Sequence, residues 1–367
     1  MSHRPARHDF MNYNNILITG GAGFVGSNLA VMLKDRFPAA RVTALDNLRR
    51  RGSELNLPRF REAGVQFAHA DIRNPEDLVP PADPYDLLIE CSAEPSVLAG
   101  HGSDPRYVIN TNLAGTVNCL ELARACKADV VFLSTSRVYP IGPLCRLNLR
   151  ETDTRFELLP DQPVRGVGPD GVTEDFPLTG HRSLYGATKL ASELLIEEYR
   201  YTYGLRAVVN RCGVLAGPWQ MGKVDQGVFT LWVLAHHFGR PLKYVGFGGT
   251  GKQVRDLLHV ADLFDLLVLQ FGRFPEFDGS VFNVGGGRPI SLSLRETTDL
   301  CARVVGRRLD VAAEPQTRFA DLPVYLTDTA AVRAATGWVP RRGPAEILTD
   351  IHAWVVANEK SLRGALG

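Results

Sequence analysis

The chain has 367 residues, of which 45% are apolar, so it can bury a large core, and we expect one large domain with a smaller one beside it. Its 41 basic side chains balance 40 acidic ones, which argues against a dedicated nucleic-acid-binding or polybasic membrane-binding protein. No apolar run approaches the roughly 18 residues of a membrane span, and the N-terminus lacks the apolar core of a secretory signal. We therefore expect a cytoplasmic protein whose native start is either Met1 or Met11.

The cysteines and lysines restrict the chemistry further. The six cysteines form no Cys-x-x-Cys pair and no Cys/His cluster at zinc-ligand spacing, so we expect reduced thiols and no metal site. Lysine is scarce, with seven residues in the whole chain, so a lysine inside a motif is informative.

The first half of the chain alternates short apolar runs with helical segments. Strands are predicted at 16–19, 41–45, 65–68, 87–91 and 130–134, and helices at 28–37 and 113–126. Strands that are apolar throughout and separated by helices indicate a parallel sheet covered on both faces. The sequence therefore predicts an α/β fold with a Rossmann-type doubly wound parallel sheet.

Residues 139–183 interrupt this pattern with a stretch rich in proline, glycine and acidic residues. A connection of this length inside a compact domain is usually a functional loop or lid, and the alternative is a disordered surface insertion. Beyond it the pattern resumes in a more mixed form. Helices are predicted at 185–203, 229–238 and 294–305, and strands at 206–210 and 281–284.

A glycine-rich turn, residues 20–26, joins the first predicted strand to the first helix. Gly20 permits the tight turn, Gly23 lets the backbone approach a pyrophosphate, and Gly26 lets helix and strand pack closely. The helix N-terminus then offers free N–H groups and the positive end of its dipole to phosphates. This context predicts a dinucleotide-binding site.

Asp46 ends the second predicted strand, twenty residues past Gly26. A carboxylate there can accept both hydroxyls of an adenosine ribose and repels a 2′-phosphate, so we expect NAD rather than NADP. The neighbouring run Arg49-Arg50-Arg51 weakens that preference, unless it is a solvated turn. Asp71 and Ile72 follow the third strand and are expected to meet the adenine; the alternative is a strand cap.

Tyr185 and Lys189 stand four residues apart and therefore share one face of a predicted helix. An ammonium beside a phenol stabilises the phenolate and lowers its pKa towards the working pH. Such a phenolate can take the proton from a hydroxyl while the hydride on the same carbon goes to NAD. In isolation such a pair is more often two residues on a helix surface, but the glycine turn and the hydroxyls at the predicted strand end favour the catalytic interpretation.

The sequence resembles the extended short-chain dehydrogenase/reductase family, the nucleotide-sugar epimerases and dehydratases, over nearly its whole length. The motifs that carry the resemblance are the Gly-x-x-Gly-x-x-Gly turn, Asn112-Leu113-Ala114-Gly115-Thr116, residues 133–139, Tyr185-Gly186-Ala187-Thr188-Lys189, residues 251–256 and residues 282–286. The resemblance implies an NAD-binding Rossmann domain at 12–210 with a return segment at about 256–286. It implies a smaller mixed α/β domain, at 211–255 and 287–364, that binds the nucleotide-sugar substrate.

The resemblance also implies roles for individual residues. Tyr185, Lys189 and Thr135 would be catalytic, with Thr135 orienting the alcohol and Ser134 or Ser136 as alternatives to it. The implied NAD contacts are Gly20, Gly23, Phe24, Val25, Gly26, Asp46, Asn47, Asp71, Ile72, Ser92, Ala93, Asn112, Tyr185 and Lys189. The implied substrate contacts are Ser136, Arg137, Arg211, Gln226, Arg255 and Arg318, the last of which is alternatively a surface charge.

The residues after Thr135 bear on the reaction. Ser136-Arg137 stands where the family's 4,6-dehydratases carry an Asp-Glu pair, and Arg137 stands where its xylose-forming decarboxylases carry Glu, so both reactions are disfavoured. Epimerisation needs no extra acid or base, because one hydroxyl is oxidised, the ketone presents its other face and the same hydride returns. The resemblance is strongest to the branch that inverts C2 of a CDP-linked deoxyhexose, through residues 46–57, 69–74, 151–155, 225–227 and 251–259.

Several features leave alternatives open. The enzyme could instead be a 4-epimerase or ketoreductase acting on a UDP- or GDP-hexose, or the chain could be a non-catalytic NAD-bound sensor or scaffold. Glu90 and Glu94 replace the family's usual His and Gln, and residues 321–325 lack its usual diphosphate arginine, so Arg255 and Arg318 would neutralise the diphosphate. Helices 113–126 and 185–203 resemble those that pair across a homodimer, with a tetramer as the alternative.

Overall fold

The computed structural model describes residues 13–222 and 226–366. Its strands are β1 (Asn15–Thr19), β2 (Arg41–Asp46), β3 (Gln66–His69), β4 (Leu87–Glu90), β5 (Asp129–Thr135), β6 (Leu149–Glu151), β7 (Phe156–Leu158), β8 (Val167–Gly168), β9 (Gly171–Val172), β10 (Ala207–Cys212), β11 (Val214–Ala216), β12 (Leu242–Val245), β13 (Val254–His259), β14 (Val281–Val284), β15 (Ser291–Ser293), β16 (Val311–Glu314) and β17 (Val324–Tyr325). Its α-helices are α1 (Phe24–Arg36), α2 (Leu57–Ala63), α3 (Arg106–Ile109), α4 (Gly115–Cys126), α5 (Ile141–Cys145), α6 (Leu184–Tyr203), α7 (Val228–Phe238), α8 (Val260–Gly272), α9 (Phe274–Phe277), α10 (Leu294–Val305), α11 (Ala330–Thr336), α12 (Pro344–Ala357) and α13 (Glu359–Leu366).

Seven parallel strands form the central sheet in the order β14-β10-β5-β4-β1-β2-β3. Ile16 and Ile18 of β1 pack on the side of α1 and α8, whereas Leu17 packs on the side of α4 and α6. Both faces are thus covered, which is why the strand residues are apolar without alternation. The predicted doubly wound parallel sheet is confirmed. After β1 the chain adds β2 and β3 on one side of β1, and after β3 it crosses to β4 on the other side. Sheets of this kind bind ligands at the point where the strand order changes direction in this way.

A smaller mixed sheet lies beside the central one. Its strand β13 pairs in parallel with β11 and β17 and antiparallel with β15, and β12 and β16 form a separate parallel pair. Helices α7, α10 and α12 pack together on a core that includes Trp232, Cys301 and Ile351. The predicted smaller mixed α/β unit is therefore present.

Residues 139–183 are ordered. They form α5 and two antiparallel hairpins, β6–β7 and β8–β9. Their apolar side chains, among them Leu158 and Phe176, pack with Leu322 and Val324 at β17. The stretch therefore supports the smaller sheet, and none of its residues lines the two clefts described below.

The largest boundary differences from the sequence prediction lie at helix starts. Helix α1 begins at Phe24 rather than at residue 28, because Gly23 in an extended conformation already caps it. The helix predicted at 113–126 begins as α4 at Gly115, because its first two residues belong to a π-helical turn, Asn110–Ala114. Within the described ranges, no helix combines the length and apolar character needed to cross a bilayer.

Candidate active site

The turn between β1 and α1 is packed so tightly that two of its positions require glycine. Gly20 has φ +61°, and a Cβ on it would lie 2.8 Å from the backbone of Ser92. A Cβ on Gly26 would lie 2.3 Å from the Gly20 carbonyl oxygen. Gly23 caps α1, so the first N–H groups of the helix are free for an anion. This turn has the close packing and the exposed helix end that a pyrophosphate needs.

A cleft of about 320 Å³ runs along the carboxyl edge of the central sheet, and we call it the cofactor cleft. It brings together most of the predicted cofactor and catalytic residues. Its lining includes Gly20, Gly23, Phe24, Val25, Gly26, Ala93, Thr135, Ser136, Arg137, Tyr185 and Gln226. The glycine turn and the catalytic tyrosine, 160 positions apart in sequence, therefore face the same space.

Asp46 lies at the glycine end of this cleft. Its carboxylate accepts the backbone N–H groups of Ala22 (3.1 Å) and Leu48 (2.8 Å), and burial raises its pKa. The three neighbouring arginines have partners of their own. Arg49 stacks on the Tyr107 ring at 4.0 Å, Arg50 donates to Gln226 and to the Met221 carbonyl (2.9 Å), and Arg51 donates to the Gly364 carbonyl (2.8 Å). These contacts strengthen the expected preference for NAD.

Asp71 is held in place from two sides. Asn47 donates to its Oδ2 at 2.9 Å, and the guanidinium of Arg73 donates to both carboxylate oxygens. Arg73 holds the pKa of Asp71 well below its usual range. Ile72 is buried, and a Cβ on Gly115 would lie 2.5 Å from its Cδ1. Asp71 thus stabilises the turn after β3, and contact of Asp71 and Ile72 with adenine, and of Asn47 with the cofactor, stays a prediction.

Tyr185 stands in the first turn of α6, beside the end of β5. The helix starts there because the Ser183 side chain accepts the Gly186 N–H at 3.2 Å. A Cβ on Gly186 would lie 2.1 Å from the Arg137 carbonyl oxygen, so the helix packs directly on the turn after Thr135. Burial raises the pKa of Tyr185 to about 12, while a hydrogen bond to Thr135 and the charge of Arg137 act to lower it.

Lys189 lies one helical turn further along α6 and is only 2% exposed. Its Nζ lies 3.7 Å from the centroid of the Phe132 ring. Burial lowers its pKa, and the nearby carboxyl group of Glu90 opposes that effect. The sequence predicted this ammonium beside the phenol. Arg137, which lines the cofactor cleft, acts to lower the pKa of Tyr185, whereas Lys189 is not among the residues that line this cleft, and its action on Tyr185 stays a prediction.

Asn112 sits in the π-helical turn and is fully buried. Its side chain accepts the Glu94 N–H at 2.7 Å and donates to the Glu94 carbonyl at 3.0 Å. It therefore fixes the segment after β4 that carries Ser92 and Ala93. Ala93 lines the cofactor cleft, whereas Ser92 and Asn112 lie behind it. A π turn inside a helix is a frequent feature of functional sites.

Arg211 requires a correction, because the structure places it away from both clefts. It is 6% exposed, its Nη2 donates to Glu193 Oε2 at 2.7 Å, and its Nη1 donates to the Tyr139 hydroxyl at 3.2 Å. Ser134 donates to the same carboxylate at 2.5 Å. Arg211 thus joins β10 to α6 and β5 as part of a buried network. Glu193, four residues after Lys189, is the sequence signal that could have indicated this ion pair.

A second cleft, of about 530 Å³, adjoins the first, and we call it the substrate cleft. The two clefts share Val97, Arg137, Val214, Gln226 and Gly227. Arg255 and Arg318, both predicted substrate contacts, line it together with apolar side chains of α7 and β12. Arg137 and Arg255 both bond to residues 320–322, so a ligand here would meet a group of cations on that side and apolar walls elsewhere.

Asp321 is a cleft residue whose role the sequence did not reveal. Its carboxylate accepts a hydrogen bond from Arg255 Nη2 at 3.0 Å, and that arginine also donates to the Leu322 carbonyl at 2.7 Å. Burial lowers the pKa of Arg255 to about 10, and Asp321 opposes the shift. Phe319, next to Arg318, stacks on His101 with ring centroids 4.4 Å apart. The ring contact requires His101 to meet Phe319, and the hydrogen bonds require Arg255 to meet residues 321 and 322, so both depend on segments distant in sequence.

Comparison with known proteins agrees with this geometry. Residues 16–285 match the model of the NAD dependent epimerase/dehydratase family. The chain is 29% identical to the CDP-paratose 2-epimerase of Salmonella typhi, over 92% of this chain and 98% of the relative. It is 28% identical to a dTDP-glucose 4,6-dehydratase of Streptomyces niveus, over 92% of each chain. The Thermus thermophilus UDP-glucose 4-epimerase, solved in complex with NAD, superposes with a TM-score of 0.73 at 26% identity, covering 93% of this chain and 98% of that one.

The residues present fit the cofactor that the family name states. The positions of Gly20 and Gly26, where no Cβ fits, leave the helix N-terminus open to a pyrophosphate, and Asp46, at the end of β2, is held beside that turn by the Ala22 N–H, where the fold places the carboxylate that binds a ribose. The family model covers more than half of the chain, and the fold, the glycine turn and the Tyr185–Lys189 pair agree with it. The chain is therefore an enzyme of the NAD dependent epimerase/dehydratase family, with NAD as its cofactor.

Proposed function

We propose that the enzyme inverts C2 of a CDP-linked deoxyhexose, interconverting CDP-paratose and CDP-tyvelose through a 2-keto sugar. The nucleoside diphosphate would occupy the substrate cleft, with its diphosphate near Arg255 and Arg318. The sugar would reach the junction of the two clefts, where Thr135, Tyr185 and Arg137 meet. The CDP-paratose 2-epimerase of Salmonella typhi, which this chain matches along nearly its full length, supports this choice of substrate.

The residues at the junction have separate tasks in this reaction. Thr135 orients the reacting hydroxyl, and Tyr185 takes its proton and later returns it to the ketone oxygen. Arg137 acts to stabilise the phenolate of Tyr185, and we expect Lys189 to add to this effect from the same face of α6. When NAD is bound, its nicotinamide supplies a reversible hydride acceptor. Inversion follows if the keto sugar turns its other face to the same ring before the hydride returns.

The observation that carries the proposal is Arg137 at the junction. Elimination of water needs an acid/base pair beside the reacting sugar, and the residues after Thr135 are Ser136 and Arg137 instead of carboxylates. The Arg137 Nη1 donates to the Ala320 carbonyl at 3.0 Å, which fixes the guanidinium between the two clefts. A site with one phenol and no carboxylate at these two positions favours epimerisation over dehydration.

The direct experiment offers the purified enzyme CDP-paratose, UDP-glucose and a GDP-hexose in parallel and follows the products by NMR. We expect C2 inversion of CDP-paratose, without loss of water. Turnover of UDP-glucose at C4 with no action on CDP-paratose would replace the proposal by a 4-epimerase. No turnover of any of them, with NAD retained, would favour a non-catalytic role.

We also propose that the enzyme is a homodimer that pairs through α4 and α6. Leu194 (58% exposed) and Tyr201 (91% exposed) leave apolar surface on α6. Sedimentation of the purified protein tests this, and Leu194→Glu should produce a monomer if the face is an interface. A wild-type monomer at micromolar concentration would exclude it.

A further inference from the structure

Glu90 is a fully buried carboxyl group that the proposed reaction does not use. It ends β4, has no exposed surface, and stands where the family resemblance leads one to expect histidine. Its Oε1 lies 2.6 Å from the Thr116 hydroxyl, and its Oε2 finds no hydrogen-bond partner in the described part of the chain. A buried carboxyl group with a free oxygen is costly unless another charge compensates it.

The strand register shows which group lies next to it. Glu90 of β4 pairs with Phe132 of β5, so both side chains project from the same face of the parallel sheet. The Lys189 ammonium lies 3.7 Å above the Phe132 ring on that face. Glu90 and Lys189 therefore occupy one buried compartment beneath the cofactor cleft. Among charged groups, Lys189 acts most strongly on Glu90, and Glu90 acts most strongly on Lys189.

The other titratable groups around Lys189 do not offer an unpaired charge. Glu193, on the same helix, is ion-paired with Arg211 at 2.7 Å. The nearby thiols of Cys91 after β4, Cys119 on α4 and Cys212 on β10 are neutral, because burial raises the pKa of each. Glu90 is thus the carboxylate left to balance Lys189.

Burial penalises a lone charge far more than a pair of opposite charges. Removing one proton from the pair would leave a lone negative charge, and adding one would leave a lone positive charge. The pair therefore retains one proton over a wide pH range. Thr116 Oγ1 lies 2.6 Å from Glu90 Oε1 and 2.8 Å from the Asn112 carbonyl oxygen, and when its proton points to Glu90 it favours the state in which Glu90 is the carboxylate and Lys189 the ammonium.

We propose that Glu90 is a positioning residue that keeps Lys189 protonated in the buried compartment beneath the cofactor cleft. The charge state of Lys189 does not depend on the proposed function. The inference rests on the proposed function only where it says that a charged Lys189 stabilises the Tyr185 phenolate. It assigns Glu90 a role in setting the pH range of the enzyme, without contact with substrate.

The test measures the protonation of Lys189 directly. The protein is labelled with [13Cε]lysine, and the Cε signals are followed against pH without substrate. Only seven lysines are present, and loss of one signal in Lys189→Arg assigns Lys189. In Glu90→Gln, the titration midpoint of Lys189 should fall by at least about one pH unit, because an uncompensated buried lysine titrates far below its normal range. As the pH rises, this variant should lose activity at a correspondingly lower pH than the wild type.

Two variants complete the design. Glu90→Asp retains the charge and should restore most of the wild-type midpoint, whereas Glu94→Gln, which removes a carboxylate outside the compartment, should leave it unchanged. If Glu90→Gln does not fold, Thr116→Val should move the midpoint in the same direction by a smaller amount. Equal midpoints in the wild type, the Glu90 variants and Thr116→Val would overturn the inference. The titration uses no substrate. A shifted Lys189 midpoint in a protein that does not turn over CDP-paratose would therefore reject the proposed function and leave this inference standing.

Discussion

The two clefts are built in different ways. The cofactor cleft is lined at the carboxyl ends of β1, β4, β5 and β10 and at the starts of α1 and α6, together with residues from 50–56 and 213–227, and close packing fixes its glycine turn. The substrate cleft is lined by segments from Val97 to Asp321, and its Arg137 and Arg255 are held by hydrogen bonds to residues 320–322. The geometry of the cofactor cleft is thus set by the fold, whereas that of the substrate cleft depends on residues particular to this chain. Changes in the first should abolish chemistry or folding, and changes in the second should alter affinity.

The largest effect should come from Tyr185→Phe at the meeting point of the two regions. Loss of a general acid/base lowers kcat by about 10²–10⁴-fold, while bound NAD should remain at the wild-type level. The measurement is steady-state turnover together with the NAD released on denaturation. Tyr201→Phe, at a 91% exposed position on the same helix, is the matched control and should change neither. Undiminished turnover in Tyr185→Phe would end the enzymatic interpretation of this site.

Arg211→Met should reduce stability rather than substrate affinity. Removing one partner of a buried ion pair leaves Glu193 uncompensated, which costs about 3–5 kcal/mol of unfolding free energy. Urea unfolding measures the loss, and titration with CDP should give the wild-type Kd if the protein remains folded. A normal stability with a weakened CDP affinity would instead place Arg211 in the substrate cleft.

Arg255→Met should show the opposite pattern. A hydrogen bond to a charged group contributes about 1.5–3 kcal/mol, so the Kd for CDP should rise by roughly 10- to 100-fold. The unfolding free energy should change little, although Asp321 loses its partner. Asp321→Asn combined with Arg255→Met controls for that lost partner. An unchanged Kd in both variants would remove the diphosphate from this part of the cleft.

Asp46→Ala should have the smallest effect, on the choice of cofactor. The change removes one hydrogen bond from Ala22 in the glycine turn, one from Leu48, and the repulsion of a 2′-phosphate, so NAD should bind more weakly and NADP less weakly than in the wild type. Arg49, Arg50 and Arg51 have other partners. We therefore expect the preference for NAD over NADP to become smaller without reversing. Calorimetric titration with NAD and with NADP measures this preference. A full reversal would show that one of these arginines is available to bind the 2′-phosphate.

The sequence was informative where local spacing decides the geometry. Gly20, Gly26, Tyr185 and Lys189 act through short-range rules of turns and helices, and their placement could be predicted. It was less informative where tertiary contacts decide. Arg211 and Arg255 are both arginines next to strand motifs, and only the packing shows that one pairs with Glu193 in the interior and the other lines a cleft.

The distribution of charge around the tyrosine shows the same limit. Helical spacing placed Lys189 near Tyr185, but the sheet register that puts Lys189 over Phe132 beside Glu90 depends on strand pairing. The approach of Arg137 to Tyr185 depends on Gly186, where the absence of a Cβ lets the helix touch the turn after β5. Neither contact follows from the spacing of residues in one element.

The central claim is that one hydride leaves the sugar and returns to the same carbon at the junction of the two clefts. Its most direct test uses CDP-paratose labelled with deuterium at C2 and follows conversion in ordinary water by NMR. We expect CDP-tyvelose that retains the deuterium at C2 with inverted configuration, and the reverse experiment in deuterated water should introduce no label. Loss of the label to solvent would show that a proton, rather than a hydride, is transferred, and it would contradict the account.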